Sequence, residues 1–224
     1  MKKLLLPILF AIVLPATFSC SALKNATLSE ADAASAIKQM LEIGVRDGVQ
    51  GSFSKDAIMS TLFPESMRKT LTTLQTLGLL NDLDRFTTTM ATASEKTAER
   101  SVPVFVNTID HMSITDAISI VKNGGTSATD YLRAHAGTQL REAIKPVMKE
   151  ALDEYKLTDE WNKIMKPAQS IAGNHINLDL PNLMAGLVAE KMFENIEAKE
   201  KDIRANQSAR TTALLRRVFS QNWQ

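Results

Sequence analysis

The apolar and polar positions of this protein follow a helical pattern over most of its length. From about residue 28 to residue 219, apolar residues recur at spacings of three and four, which places them on one face of an α-helix. No stretch alternates apolar and polar residues over the length of a strand. The pattern therefore predicts an all-α fold, built as one bundle-like domain of about eight to ten helices over residues 28–220, without a sheet.

Turn and capping signals divide the first third of this domain. A capping box at residues 27–30 predicts a helix that runs to about Asp47, where glycines follow. Residues 52–63 are polar with scattered apolar positions, and they predict a loop. Pro64 presets a helical backbone angle, so we expect a helix to begin there and to end near Gly78.

The middle of the sequence combines helical spacing with strong breaking signals. A helix is predicted to begin at residues 81–82, to break near residues 101–103 and to restart through Ile109. Residues 113–116 form a variant capping box with Asp in the last position, and they predict the start of another helix. The Asn-Gly-Gly sequence at residues 123–125 predicts its end.

Further signals divide the stretch that follows. Thr126 is predicted to cap a helix that ends just before Gly137, where a second helix begins. Pro146 lies inside this second helix and is predicted to kink it. Residues 158–169 predict a shorter helix that is interrupted around Pro167.

The last part of the sequence begins with a long helix. Asp179, which stands two residues before Pro181, predicts its start. Residues 197–204 at its end are highly charged, and we expect them to leave the core. Residues 206–209 predict a turn, and residues 214–219 predict a last helix.

The N-terminal residues follow a different pattern. Lys2 and Lys3 precede an apolar run over residues 4–18, and the small residue Ser19 stands directly before Cys20. This order is typical of a cleaved export signal, and a signal that ends in cysteine indicates lipid attachment. We therefore predict a signal peptide over residues 1–19, a lipidated Cys20 and a tether over residues 20–27.

This N-terminal pattern also predicts a location. A lipid on Cys20 would place the protein on the periplasmic face of a bacterial membrane, with the outer membrane as the favoured location. Ordinary signal cleavage after Ser21 or Ala22 is the alternative, and it would release a soluble protein. Because Cys20 is the single cysteine, no disulfide is available to stabilise the domain.

Composition and charge narrow the classes of partner. Lys and Arg number 26 against 25 Asp and Glu, and the net charge of +1 argues against nucleic-acid binding. The aromatic content of 5% argues against a sugar-binding or base-stacking surface. His111, His135 and His175 are widely separated and no zinc-ligand spacing is present, so we predict no metal and no cofactor.

Four segments of the sequence resemble a known family. They cover residues 28–34, 116–132, 140–147 and 203–215, and the second contains the sequence Lys-Asn-Gly-Gly-Thr-Ser-Ala-Thr-Asp-Tyr-Leu. They are similar to the family catalogued as the bacterial domain of unknown function numbered four-one-nine-seven. The resemblance implies an exported, helical and often lipid-anchored protein. It implies no activity, because none is established for the family.

The family-like segments contain the candidate site. Its residues are Gly124, Gly125, Thr129, Asp130, Tyr131, Arg141, Lys145, Arg204 and Arg210. Arg141 and Lys145, four residues apart, could present two cations to a carboxylate or phosphate, but interhelical ion pairing is the favoured explanation of such residues. Backbone amides after Gly124 and Gly125 could bind an anion, but the favoured reading is that the glycines simply end one helix before the next. We predict a buried ion pair for Arg210.

Three function classes follow from these patterns. The leading hypothesis is a structural or protein-interaction module with an unknown partner in the cell envelope. The alternative is a carrier or sensor of an apolar or anionic small molecule, since ten methionines could form an adaptable interior. An enzyme ranks third, because no nucleophile, metal or acid–base set stands out.

Overall fold

The computed structural model describes residues 27–47, 51–76, 78, 82–172 and 179–221. These residues form nine α-helices and one 3-10 turn, and they contain no strand, so the all-α prediction is confirmed. The predicted signal peptide and Cys20 lie outside the described residues. The helices are α1 (Glu30–Asp47), α2 (Lys55–Leu62), α3 (Glu65–Thr76), α4 (Asp82–His111), α5 (Ala117–Asn123), α6 (Ser127–Glu154), α7 (Leu157–Ala172), α8 (Leu180–Ala205) and α9 (Ala213–Phe219), with the 3-10 turn at Gln207–Ala209.

The four longest helices, α1, α4, α6 and α8, build the core. Helix α6 packs against both α4 and α8, and α1 packs against α8 and α4. The shorter helices lie around them, with α5 and α9 on α1 and with α2 and α7 on α4. Apolar side chains from all four long helices are fully buried, among them Met40, Phe86, Leu140 and Ile196. The predicted helical periodicity therefore corresponds to real buried faces.

One glycine sets the distance between α1 and α8. A Cβ atom added at Gly44 would lie 2.8 Å from the Cα atom of Ile196, closer than real Cβ contacts allow. The two backbones can approach this closely only because Gly44 has no side chain. This close approach helps to bring α8 onto the core.

The predicted breaks inside the long helices are wrong. Helix α4 continues through Pro103, and α6 continues through Gly137. Pro146 lies inside α6, where the sequence predicts a kink rather than a break. Each proline removes a single backbone hydrogen bond, and both prolines are exposed to solvent. Ser101 and Phe105, on either side of Pro103, are both fully buried. Packing on both sides of the proline therefore outweighs the local breaking signal.

Two shorter segments also differ from the predictions. The loop expected at residues 52–63 contains α2, which begins after Ser54, whose Oγ accepts a hydrogen bond from the backbone N–H of Ala57 at 3.1 Å. Ile58 and Leu62, four residues apart, bury one face of this helix. Helix α7 continues past Pro167, where the sequence predicts an interruption. For α2, burial of one helical face accounts for the difference.

The helix starts are predicted with mixed success. Asp179 caps α8 as expected, because its Oδ1 accepts a hydrogen bond from the backbone N–H of Asn182 at 3.1 Å. The capping box expected at residues 113–116 is wrong, since Asp116 has a left-handed backbone with φ of 55° and makes no capping bond. Among the described helices, none is long and apolar enough to cross a membrane.

Candidate functional site

The charged end of α8 does not leave the core. Glu200 and Ile203 are fully buried, so the expectation for residues 197–204 is wrong. They continue the buried face that includes Ile196, at helical spacings of four and three. Glu200 thereby points into the protein, and the predicted candidate residues Thr129 and Arg204 meet around its carboxylate.

The Glu200 carboxylate binds the N-terminus of α6. Its Oε1 accepts a hydrogen bond from the backbone N–H of Ala128 at 3.0 Å. Its Oε2 accepts from the backbone N–H of Thr129 at 2.7 Å and from the Thr129 hydroxyl at 2.6 Å. The first amides of a helix have no partner inside the helix and carry partial positive charge, so they stabilise a buried carboxylate.

Arg204 neutralises this carboxylate from the other side. Its Nη2 lies 2.8 Å from Oε1 of Glu200, and its Nε donates to the same oxygen at 3.0 Å. The guanidinium also donates to the backbone carbonyls of Ile120 and Val121 in α5, at 3.2 and 3.0 Å. Arg204 therefore links α5 to α8 and to the carboxylate that caps α6.

The turn at Gly124 and Gly125 allows the first amides of α6 to bind Glu200. Gly124 and Gly125 have φ values of 69° and 57°, a left-handed conformation that glycine adopts without strain. The turn exposes the first amides of α6, as the anion-binding hypothesis required, but the anion that they bind is the protein's own Glu200. Thr126 makes no capping bond to the backbone, and its hydroxyl donates to Oδ2 of Asp130 at 2.9 Å. The predicted threonine cap is therefore wrong.

Arg210 is buried as predicted, but the expected ion pair is wrong. No carboxylate of the described residues lies within ion-pair distance of it. Its Nε donates to the carbonyl of Ile203 at 2.9 Å, its Nη2 to the carbonyl of Arg204 at 2.8 Å and its Nη1 to the hydroxyl of Ser220 at 3.0 Å. The last carbonyls of a helix carry partial negative charge, so Arg210 caps the C-terminus of α8.

Tyr131 holds the segment before α5. Its hydroxyl donates to the carbonyl of Ser113 at 3.0 Å and accepts from the backbone N–H of Thr115 at 3.3 Å. The Tyr131 ring stacks on His135, with ring centroids 3.9 Å apart. These contacts give Tyr131 a structural role near the start of α6.

Lys145 belongs to a different part of the surface. Its Nζ lies 2.9 Å from Oδ2 of Asp179, the residue that caps α8. This hydrogen bond raises the pKa of Lys145 above its usual value and lowers the pKa of Asp179 below its usual value. Lys145 is therefore already paired, and the structure does not bring it together with Arg141 as a two-cation site.

Arg141 lies instead at an open cleft between α6 and α8, which we call the Arg141 cleft. Its volume is about 200 Å³. Arg133 also lines it, and there its Nη1 lies 2.5 Å from Oε2 of Glu190 and its guanidinium carbon lies 4.6 Å from the ring centroid of Phe193. Arg141 itself is exposed, and it has no hydrogen-bond or ion-pair partner among the described residues. The cleft residues include Arg133, Gly137, Arg141, Ala189, Glu190 and Phe193.

The predicted candidate site does not include Glu200, which binds the start of α6, or Glu190 and Phe193, which line the Arg141 cleft. Glu200 carried a usable signal, because it stands four residues from Ile196 and four residues before Arg204. Glu190 and Phe193 carried no comparable signal, since their partner Arg133 is on α6. Among the described residues, no group of three or more His, Cys, Asp and Glu residues could hold a metal ion.

A family model matches nearly all of the helical domain, including the segments that surround Glu200. The family model described as "Protein of unknown function (DUF4197)" matches residues 27–220. The protein belongs to this family. The DUF4197 resemblance seen in the sequence is therefore confirmed, and two of the segments that carried it, residues 116–132 and 203–215, contain Thr129, Arg204 and Arg210. No curated protein and no solved structure matches the sequence.

Proposed function

We propose that this protein is an exported envelope lipoprotein whose helical domain is a structural or protein-interaction module. The observation that carries the proposal is the closed set of contacts around Glu200. Two family-like segments meet there, and the Glu200 carboxylate is bound by the guanidinium of Arg204 and the first amides of α6. Such contacts give a helical domain a defined shape, which is what a binding surface for another protein requires.

The N-terminal sequence supports the proposed location. Lys2, Lys3, the apolar run over residues 4–18 and Ser19 precede Cys20 in the order of a lipoprotein signal. Nine residues separate Cys20 from the start of α1 at Glu30. An extended polypeptide of that length spans about 30 Å. A lipid on Cys20 would therefore keep the helical domain close to the membrane surface.

Fatty-acid labelling tests the anchor. In cells that grow with an alkyne-tagged fatty acid, we expect the wild-type protein to be labelled and to sediment with membranes. Cys20→Ser should lose the label and become soluble, whereas the control Ser21→Ala should behave as wild type. Equal labelling of Cys20→Ser would contradict the lipoprotein proposal.

Crosslinking in intact cells tests the interaction module. Photoreactive residues are placed at exposed positions of different helices, for example Thr72 of α3 and Gln139 of α6. Positions on the face that binds the partner should give one discrete crosslinked product of higher mass, and positions on other faces should give none. The adduct should weaken in the Cys20→Ser variant, because that variant leaves the membrane. If no position gives an adduct and native mass spectrometry detects a retained small molecule, the carrier hypothesis replaces this one.

A further inference from the structure

We propose that the Arg141 cleft binds a singly charged carboxylate that is attached to a short apolar or aromatic group. The proposal goes beyond the interaction module, and it does not depend on the membrane anchor. It rests on three features of the cleft. Arg141 has no partner among the described residues, and the small residues Gly137 and Ala189 lie beside Phe193. The second arginine of the cleft, Arg133, is neutralised by Glu190.

Arg141 provides the cation. Two other cations of α6 are already paired, Arg133 with Glu190 and Lys145 with Asp179. Arg141 has no such partner among the described residues, and a Cβ atom added at Gly186 would lie 3.8 Å from its Nε, so its side chain lies against α8. A guanidinium is planar, and its donors match the two oxygens of a carboxylate.

Small residues create the space beside this cation. Gly137 on α6 and Ala189 on α8 leave a volume of about 200 Å³ between the helices. Phe193 also lines it and is held edge-on against Phe105, with ring centroids 5.6 Å apart. Sites for drug-sized ligands have volumes of roughly 300–1,000 Å³, so the occupant here must be smaller. A short aliphatic group or a single aromatic ring is of suitable size.

The charge of the cleft selects a monoanion. Glu190 neutralises Arg133, which leaves Arg141 as the one unbalanced charge among the described residues that line the cleft. A phosphate dianion would meet one guanidinium and also the negative charge of Glu190. A carboxylate matches the single positive charge and lets its apolar part lie toward Ala189 and Phe193.

Titration of the full-length purified protein with phenylacetate tests the site. Binding measured by NMR chemical shifts should be at least about tenfold weaker in Arg141→Gln, because a charge-assisted bidentate contact is lost. The matched control is Lys149→Gln, which removes one positive charge from a residue of α6 that does not line the cleft. Gly137→Leu should also abolish binding, because the leucine side chain fills the cleft. The unfolding midpoint of this variant should stay close to that of the wild type, which shows that it is folded.

Several results would overturn the proposal. They are absence of phenylacetate binding to the wild type, equal binding by wild type and Arg141→Gln, and binding of inorganic phosphate as tight as that of phenylacetate. Two peptides that end in phenylalanine, one with a free carboxylate and one amidated, identify the source of the ligand. Tighter binding of the free-acid peptide than of phenylacetate supports the C-terminal carboxylate of a peptide, and binding of phenylacetate alone supports a small acid.

Discussion

Two of the arginines between helices α6 and α8, Arg204 and Arg141, differ in whether the protein itself supplies an anion. Near the start of α6, Arg204 is paired with the fully buried Glu200. Arg141 lies twelve residues after Thr129 on α6, which is about 18 Å along the helix. It is exposed and has no partner among the described residues. A buried guanidinium without an anion or other hydrogen-bond acceptors would be very costly, whereas an exposed one is hydrated. Burial therefore separates a structural arginine from one that is available to a ligand.

Removal of the internal anion should have the largest effect. Glu200→Ala leaves the largely buried Arg204 without its carboxylate partner, and we expect a loss of about 3–5 kcal/mol in the free energy of unfolding. Urea unfolding measures this loss. The matched control is Glu197→Ala on the same helix, which removes a more exposed carboxylate paired with Lys201 and should change stability little. Equal losses in the two variants would contradict the structural assignment of Glu200.

Arg210 provides a case in which carbonyl oxygens replace the carboxylate. Arg210→Ala should lower the free energy of unfolding by about 2–3 kcal/mol, because the carbonyls of Ile203 and Arg204 lose their donors. Arg210→Lys should restore only part of this loss, since one ammonium cannot reach acceptors in the geometry of a guanidinium. Full rescue by lysine in a thermal melt would mean that positive charge alone matters at this position.

Gly44 and Gly186 lie at two helix contacts that differ in how tightly they are packed. Gly44→Ala should cost about 1–3 kcal/mol of unfolding free energy, because the new methyl group meets the backbone of Ile196. Gly186→Ala, beside Arg141, should instead stabilise the helix by up to about 1 kcal/mol. Chemical denaturation of both variants tests this pair, and destabilisation of similar size in both would show that the surroundings of Arg141 are as tightly packed as the α1–α8 contact.

A carboxylate of α1 should give the smallest effect, and one that depends on pH. Burial raises the pKa of Glu42, and the negative charge of Asp110 raises it further. The protonated form is thus favoured in the folded state, so the contribution of Glu42 is full at low pH and is lost as pH rises through its raised pKa. Glu42→Gln should therefore raise the melting temperature at pH 8 more than at pH 4. An increase that is the same at both pH values would contradict this assignment.

The sequence predicted the helices better than their continuity. Helical periodicity correctly located the long buried faces, and Asp179 correctly identified the start of α8. Pro103 and Gly137 predicted interruptions, but α4 and α6 continue through them. A local signal such as proline reports the cost of one lost hydrogen bond, whereas the outcome also depends on burial on both sides of that residue.

The candidate site was predicted as a set of residues but not as an arrangement. Thr129, Arg204 and Arg210 do lie in one region, and all three have structural contacts there. The spacing of Arg141 and Lys145 allows a two-cation pair, yet Lys145 is paired with Asp179. Their spacing on α6 contains no information about which residues of α8 and its N-terminal cap lie opposite each of them.

The sequence by itself determined the all-α class, the family and most of the faces that the long helices bury, because these depend on residues within a few positions of one another. The tertiary structure alone decided that the first amides of α6 bind Glu200, a residue 71 positions from Thr129. It alone also decided that Arg141 faces an open cleft while Arg204 is neutralised. Ion-pair partners are selected by the packing of whole helices, and that packing is set by contacts between residues far apart in the sequence.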